Sequence, residues 1–516
     1  MVRLKRLVSF ALSALGSAAF GLAIIGGVLY AHFLRSGPEL EVWHRAPLNE
    51  EFTAARANDV RTLADYFALE QRLFAELDRE VYAHVEREDQ VPYIRYASGS
   101  RSDPHRWSHD WNRSFELGPA EGAVGAALLL HGLTDSPYSM RAIGEHLAAR
   151  GYHVVGLRLP GHGTAPAGLL NFTVEDMRAA VDLAVRDLQG RLSPSQPFLI
   201  AGYSNGAALA VDYALRQRAD PEHWRRPDGL VLISPAIGIS RFAALARVRT
   251  GLSSVPGFER AAWQDIVLEF DPYKYSSFSF NAAGQVQRLT SGMAREIAQL
   301  AKRGVLRDFP PVLAFISTVD STVHVDAVVD ALLEHLEPNG HELVLFDINR
   351  NAGIQPLLVK DPGPLTGRLL AMKTRSFALT VITNVDAHSM QVEELRSAVG
   401  GRAPTERPLE LQWPAGVSSL SHVSLPFPPD DPLYGYEPVG EDGTVRLGRV
   451  EVRGENGLLA VPPWVLMRQR SNPFYSYLTE RIDEFIGRAQ RSSDPAAGSP
   501  AGPAVAPAPA GTRPST

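Results

Sequence analysis

Cysteine is absent from all 516 residues, so disulfides, thiolate metal sites and a cysteine nucleophile are excluded by composition. An excess of basic charge is absent as well. The 51 Lys and Arg face 57 Asp and Glu, and a net charge of −6 gives no electrostatic footprint for nucleic acid. Lys, Arg, Asp and Glu are missing altogether from residues 7–34, a stretch that as a helix reaches about 40 Å, more than a bilayer's hydrocarbon core. That gap predicts a transmembrane anchor within residues 1–36. Arg3, Lys5 and Arg6 keep its N-terminus cytoplasmic and send the rest outward, to the extracytoplasmic (periplasmic) side of the cytoplasmic membrane. A cleaved signal peptide is the competing reading, although its apolar core runs only about 7 to 15 residues. Bulky apolar side chains are scarce at the other end, where residues 492–516 hold six Pro and seven Ala; a disordered tail is expected over 491–516.

What is present is organised around Gly202-Tyr-Ser-Asn-Gly206, which follows the apolar run Pro197-Phe-Leu-Ile-Ala201. The form G-x-S-x-G is a sharp turn between a buried strand and a helix that lifts a serine hydroxyl above the end of a parallel sheet. Ser204 is the candidate nucleophile. A Cβ at 202 or 206 is expected to crowd the neighbouring strand and helix, which is why glycine stands at both.

The chain around this turn alternates strands and helices. A continuous apolar strand is expected at 126–130 and further strands at 153–159, 229–234, 311–316 and 342–346, with helices at 138–150, 174–188, 205–216, 293–301 and 323–336, the pattern of a mostly parallel sheet covered on both faces. Before it, residues 57–85 carry Val60, Leu63, Phe67, Phe74, Leu77, Val81 and Val85 at helical spacing, which predicts an amphipathic helix that packs on the body or forms a stalk within 37–121; an early edge strand is expected in 95–121. Residues 236–290 break the alternation with eight aromatics from Phe242 to Phe280, including Trp263, Tyr275 and Phe278. They are read as a lid over an apolar pocket, against the alternative of an insertion that builds only its own small core.

A serine needs a general base, an acid that orients the base, and donors for the oxyanion. The donors expected are the backbone N–H groups of Leu133, in the loop His131-Gly-Leu-Thr134, and of Asn205 after the nucleophile. His131 is expected to hold that loop. Asp320, a few residues past the strand 311–316, is the candidate acid. The base must follow it, which leaves His324, His335, His341, His388 and His422, of which only the last two lie beyond the next strand. His388 follows the apolar run 377–383. His422 follows 409–413 and precedes a closing helix with Asn472 as cap and Phe474, Leu478, Ile482 and Phe485 on one face, so His422 is favoured and His388 is the alternative.

These residues resemble the α/β-hydrolase fold, and within it the monoacylglycerol lipase and carboxylesterase branch. The resemblance rests on Leu128-Leu-Leu-His-Gly-Leu-Thr-Asp-Ser136, on Leu159-Pro-Gly-His-Gly-Thr-Ala-Pro166, on the Ser204 turn and on the Asp320 loop. It implies a catalytic domain over 122–490, Ser204 as nucleophile, Asp320 as acid, a late histidine as base, Leu133 and Asn205 as oxyanion donors, and no metal or organic cofactor. The expected function is a membrane-anchored serine hydrolase that cleaves small or lipid-like carboxylic esters through an acyl-enzyme. A peptidase, amidase or acyltransferase, or a non-catalytic envelope interaction protein, are the alternatives. The chain departs from the family pattern in its N-terminal span and in the wide interval between Asp320 and His422, where an insertion is expected at about 349–408.

Overall fold

Successive residues of a strand face opposite sides of a sheet, so a strand that is apolar at every position must be covered on both. The strand Gly125–Leu130 meets that condition: Ala126, Leu128 and Leu130 point into one core, Ala127 and Leu129 into another. In Phe198–Tyr203, Phe198 and Ile200 likewise face the first core, and Leu199, Ala201 and Tyr203 the second. The computed structural model describes residues 37–238, 255–353, 361–437, 444–448 and 467–493, with isolated positions elsewhere. Apart from a few such positions, the span expected at 7–34 lies outside the described residues, as do the tail beyond 493 and residues 239–252 of the expected lid; among the described residues no helix is long and apolar enough to cross a membrane.

In chain order the first strands are β1 (Phe115–Leu117), β2 (Gly125–Leu130), β3 (Tyr152–Leu157), β4 (Phe198–Tyr203) and β5 (Gly229–Ile233). A small hairpin, β6 (Trp263–Asp265) and β7 (Phe278–Ser279), stands apart. Then follow β8 (Val312–Ser317), β9 (Glu342–Phe346), β10 (Ala378–Asn384), β11 (Gln391–Ser397) and β12 (Thr405–Gln412). Ten of these form one sheet in the order β1-β3-β2-β4-β5-β8-β9-β10-β11-β12. The seven strands from β3 to β10 are parallel; β1 at one edge and β11 and β12 at the other run antiparallel. This is the expected α/β-hydrolase arrangement. Its registers bring Leu130 beside Gly202, Tyr203 beside Ile233, and Ser317 beside Phe346, so the loops that leave β2, β4, β5, β8 and β9 open on one edge.

The helices that matter for the site are α1 (Leu63–Glu80), α2 (Arg141–Ala148), α3 (Val174–Arg191), α4 (Asn205–Gln217), α5 (Phe280–Lys302), α6 (Val325–Ala331), α7 (Gly363–Ala371) and α8 (Tyr475–Ser493). Helix α1 is shorter than the periodic stretch 57–85 because Thr62 caps it and Asp65 closes a reciprocal capping box. It lies on the body, where Leu63, Tyr66 and Leu69 enter the main core. Glu70, a break in the apolar stripe, is buried, where it accepts from Ser114 and from Arg158 Nε at 2.9 Å. Glu51 takes the other end of the Arg158 guanidinium and also accepts the Gly161 N–H at 2.9 Å, so the lead-in segment holds the turn after β3.

Helix α5 begins at Phe280, well before the expected 293. Its first half contains Asn281, Gly284, Thr290 and Gly292, which are weak helix formers, but Ala282, Val286, Leu289, Met293 and Ile297 give a continuous buried stripe, and packing outweighs local propensity. The late insertion is a sheet extension. Helix α7 leads into β10, which pairs with β9, and two hairpins add β11 and β12. The chain then returns to its starting point, where the Asn349 N–H donates to the Ser418 carbonyl at 2.8 Å and its buried side-chain amide to the Val417 carbonyl at 2.9 Å.

Candidate active site

The site is assembled from loops at the carboxyl edge of the sheet. Ser204 sits between β4 and α4 with φ 53°, in the left-handed region that non-glycine residues seldom occupy. The surrounding backbone enforces this conformation: the Ser204 N–H donates to Ile233 O at 2.9 Å, and its carbonyl accepts from Ala236 at 3.0 Å. A Cβ on Gly202 would lie 2.4 Å from the Gly206 carbonyl group, and one on Gly206 would lie 2.0 Å from the Leu130 oxygen. Both glycines are therefore required by contact, as the motif implies.

Asp320, beyond β8, is buried. Its Oδ1 accepts the N–H groups of Thr322 at 2.8 Å and Val323 at 2.9 Å, a local turn legible in the Asp-Ser-Thr sequence but not read from it. Its Oδ2 is 2.7 Å from His422 Nδ1. Burial pushes the Asp320 carboxyl up, but the hydrogen bond and charge of His422 and the two N–H donors outweigh it and leave the carboxyl below its ordinary value. With an ionised acceptor on Nδ1, that nitrogen carries the proton, and Nε2 is free to accept from Ser204 Oγ at 3.0 Å. Serine, imidazole and carboxylate thus form one continuous row.

His422 reaches the row because the Asn349 clasp returns the chain to the end of β9, four residues upstream. The Ser317 hydroxyl then donates to the Leu420 carbonyl at 2.9 Å. His388 stands elsewhere. It is exposed at the β10–β11 turn, where its N–H donates to Asp386, and nothing brings it to Ser204. His324 is exposed at the start of α6, and His341 is buried at the opposite end of β9, with Nε2 donating to the Glu337 carbonyl.

Leu133 and Asn205 line the same cavity as Ser204 and His422, a space of about 320 Å³. His131 anchors the Leu133 loop: its Nδ1–H donates to the Gly132 carbonyl at 2.8 Å, and its Nε2 accepts the Leu159 N–H at 3.0 Å. Burial, reinforced by His162, pushes this imidazole well below its ordinary value, so it stays neutral and keeps both bonds. The 236–290 segment supplies part of the cavity wall through Gln264, Lys274 and Phe278. Most of its described aromatics pack inward, Tyr275 into the main core and Phe270 and Tyr273 against Trp107 and Tyr138. Two cations at the cavity, Lys274 and Arg468, belong to no motif in the sequence. Lys274 is 2.9 Å from the buried Asp135, and Arg468 lines the wall. Among the described residues no cluster of His, Asp and Glu is arranged to hold a metal ion.

With this geometry in place, comparison with known proteins adds chemical context. Residues 122–264 match the family model described as serine aminopeptidase, S33. A thermostable monoacylglycerol lipase from Bacillus sp. (strain H-257) is 30% identical over 204 residues, 40% of this chain and 74% of that protein. Among solved structures, a monoacylglycerol lipase of Paleococcus ferrophilus is 20% identical over 45% of this chain and 88% of its own, with a TM-score of 0.34. A metagenome-derived lipolytic enzyme is 22% identical over 46% and 87%, with a TM-score of 0.35.

Proposed function

The chain belongs to the α/β-hydrolase family of lipases and esterases, and from that premise we propose that it cleaves small or lipid-like carboxylic esters with Ser204 as nucleophile, His422 as base and Asp320 as the acid that orients it. The observation that carries this reading is the row of hydrogen bonds from Asp320 through the imidazole to the Ser204 hydroxyl, opening on a cavity. His422 Nε2 takes the Oγ proton as Ser204 bonds to the acyl carbon. The Leu133 and Asn205 N–H groups meet the oxyanion, each such donor being worth on the order of 100 to 1000-fold in rate. The imidazolium then gives its proton to the alcohol oxygen as the carbon–oxygen bond breaks. Water, deprotonated by the same ring, releases the acid from the acyl-enzyme. Asp320, with its carboxyl held low, stabilises the imidazolium and does not take its proton.

A fluorophosphonate probe tests the assignment. It labels the wild-type protein and His388→Ala but neither Ser204→Ala nor His422→Ala; activity on a short aryl ester retained in a folded His422→Ala protein refutes the base. The description of the matched family as an aminopeptidase favours an amidase as the second reading. Faster turnover of an acyl nitroanilide than of the matched nitrophenyl ester would select it.

The wall residues Lys274 and Phe278 support a lid role for 236–290. The charge-free stretch 7–34 behind Arg3, Lys5 and Arg6 supports a single-pass anchor that leaves the catalytic domain on the extracytoplasmic side. A reporter fused after Gly487 is then active only outside the cytoplasm; activity confined to the cytoplasm overturns the orientation.

A further inference from the structure

A second cavity, of about 370 Å³, adjoins the one at Ser204, and Asp135, Lys274, Val423 and Arg468 line both. The buried rings of Phe270, Phe427 and Tyr434 give it apolar walls. Its charged groups are mostly spoken for. Lys274 is paired with Asp135 at 2.9 Å, and Arg470 lies 3.9 Å from Asp271. Asp265, exposed at the rim, makes no ion pair among the described residues. Arg468, also without an ion pair among the described residues, is left as a cation at the neck between the two chambers.

The position of Arg468 fixes which half of a substrate it meets. His422 must deliver its proton to the alcohol oxygen, so the alcohol half of an ester leaves on the imidazole side of Ser204. Val423, next in the chain, lines both cavities, and Ser421 Oγ donates to the Gln469 carbonyl at 2.5 Å, tying the Arg468 segment to the histidine loop. A guanidinium presents a planar fork that fits a carboxylate or a phosphate.

We infer that the enzyme takes esters whose alcohol half carries an anionic group, a carboxylate or a phosphate, which Arg468 binds while the aromatic chamber receives the rest of the alcohol. The inference rests on the ester-hydrolase reading above. In the step it describes, Ser204 takes the acyl group, the bond from the acyl carbon to the alcohol oxygen breaks, and the anionic alcohol leaves with the proton from His422.

The test uses the full chain and three butyrate esters with the same acyl group: 4-butyryloxybenzoate, its neutral methyl ester, and 4-butyryloxyphenyl phosphate. Because the esters differ in intrinsic reactivity, the quantity read is the anionic-to-neutral ratio of kcat/KM in each variant. In Arg468→Gln this ratio falls about ten- to a hundredfold, chiefly through KM, and Arg468→Lys recovers part of it. The larger fall, on carboxylate or on phosphate, identifies the group preferred. In the unaltered protein, 4-hydroxybenzoate inhibits cleavage of the neutral ester more strongly than methyl 4-hydroxybenzoate does, a readout that needs no folded variant. A ratio within about twofold of wild type in Arg468→Gln, or equal inhibition by the two phenols, overturns the inference while the hydrolase reading stands. No cleavage of any ester above the Ser204→Ala background defeats both.

Discussion

Replacing Asn349 by Ala tests how a histidine so far along the chain is held against Ser204. The residue is 1% exposed, and its amide nitrogen donates to the Val417 carbonyl at 2.9 Å while its oxygen accepts from Asn351 and from Asn384. Asn384 Nδ2 keeps the Ser389 carbonyl at 2.7 Å, and Asn351 lies near solvent, so the group orphaned by the change is the Val417 carbonyl. An unsatisfied buried acceptor costs about 1–3 kcal/mol, and the backbone bond from Asn349 N to Ser418 O survives, so the protein is expected to fold with a midpoint lowered by a few degrees. The effect on rate is expected to be larger than the effect on stability. Val417 stands five residues before His422, and a displacement of about 1 Å in a catalytic group can cost on the order of 100-fold. The expected outcome is a kcat on a short aryl ester reduced about 10 to 100-fold with KM little changed, measured beside thermal unfolding. A lowered midpoint with full kcat would refute the claim that the clasp positions the histidine, leaving it a structural bond only.

Acid is expected to destabilise the fold through its buried imidazoles. Burial lowers His162 and His341 to about 4 and His44 to about 3, whereas the same groups titrate near 6.5 in the unfolded chain. Between those values the unfolded state binds more protons, so stability falls as pH drops from 6.5 to 4, by on the order of 3 kcal/mol for each fully titrated ring. Burial raises Glu269 and Glu41 to about 7, so the folded state holds their protons between 4.5 and 7 and these two groups act in the opposite direction; the three imidazoles outnumber them. Unfolding midpoints that stay level or rise from pH 6.5 to 4.5 would contradict this. Gly206→Ala forces a Cβ to within 2.0 Å of the Leu130 oxygen, on the strand that leads into the Leu133 loop. Overpacking against backbone costs about 1–3 kcal/mol or more, and ester hydrolysis is expected to drop at least on the order of 100-fold. Near-normal kcat/KM in the variant would show that the turn can relax.

The legible parts of this molecule are those whose signals are local. Residues 126–130, 198–201 and 312–316 are apolar at every position because both sheet faces are covered, and a run of four or five residues displays that without any partner. The Ser204 turn and the Asp320 loop follow such strands directly. His422 has no comparable mark: Leu420-Ser-His-Val-Ser could be any loop, and its position depends on Asn349 meeting Val417 and Ser418. The order of the chain narrowed the choice to two histidines. The first half of α5 was illegible for another reason, because Asn281, Gly284 and Gly292 argue locally against a helix that only its buried stripe sustains. Arg468 was out of reach, since no spacing in the sequence relates it to Ser204.

The Arg158 guanidinium bears on how far the chain can be trimmed. The part that resembles known proteins starts near residue 122, yet this fully enclosed cation takes both of its counter-ions, Glu51 and Glu70, from before that boundary. A fragment cut at the boundary loses both counter-ions, uncovers the face of the main core on which Phe52, Leu63, Tyr66 and Leu69 pack, and gives up the Glu51 oxygen that holds Gly161. The smallest piece able to stand alone therefore begins upstream of Glu51, and the leading segment is as much a part of the hydrolase as the sheet it leans on.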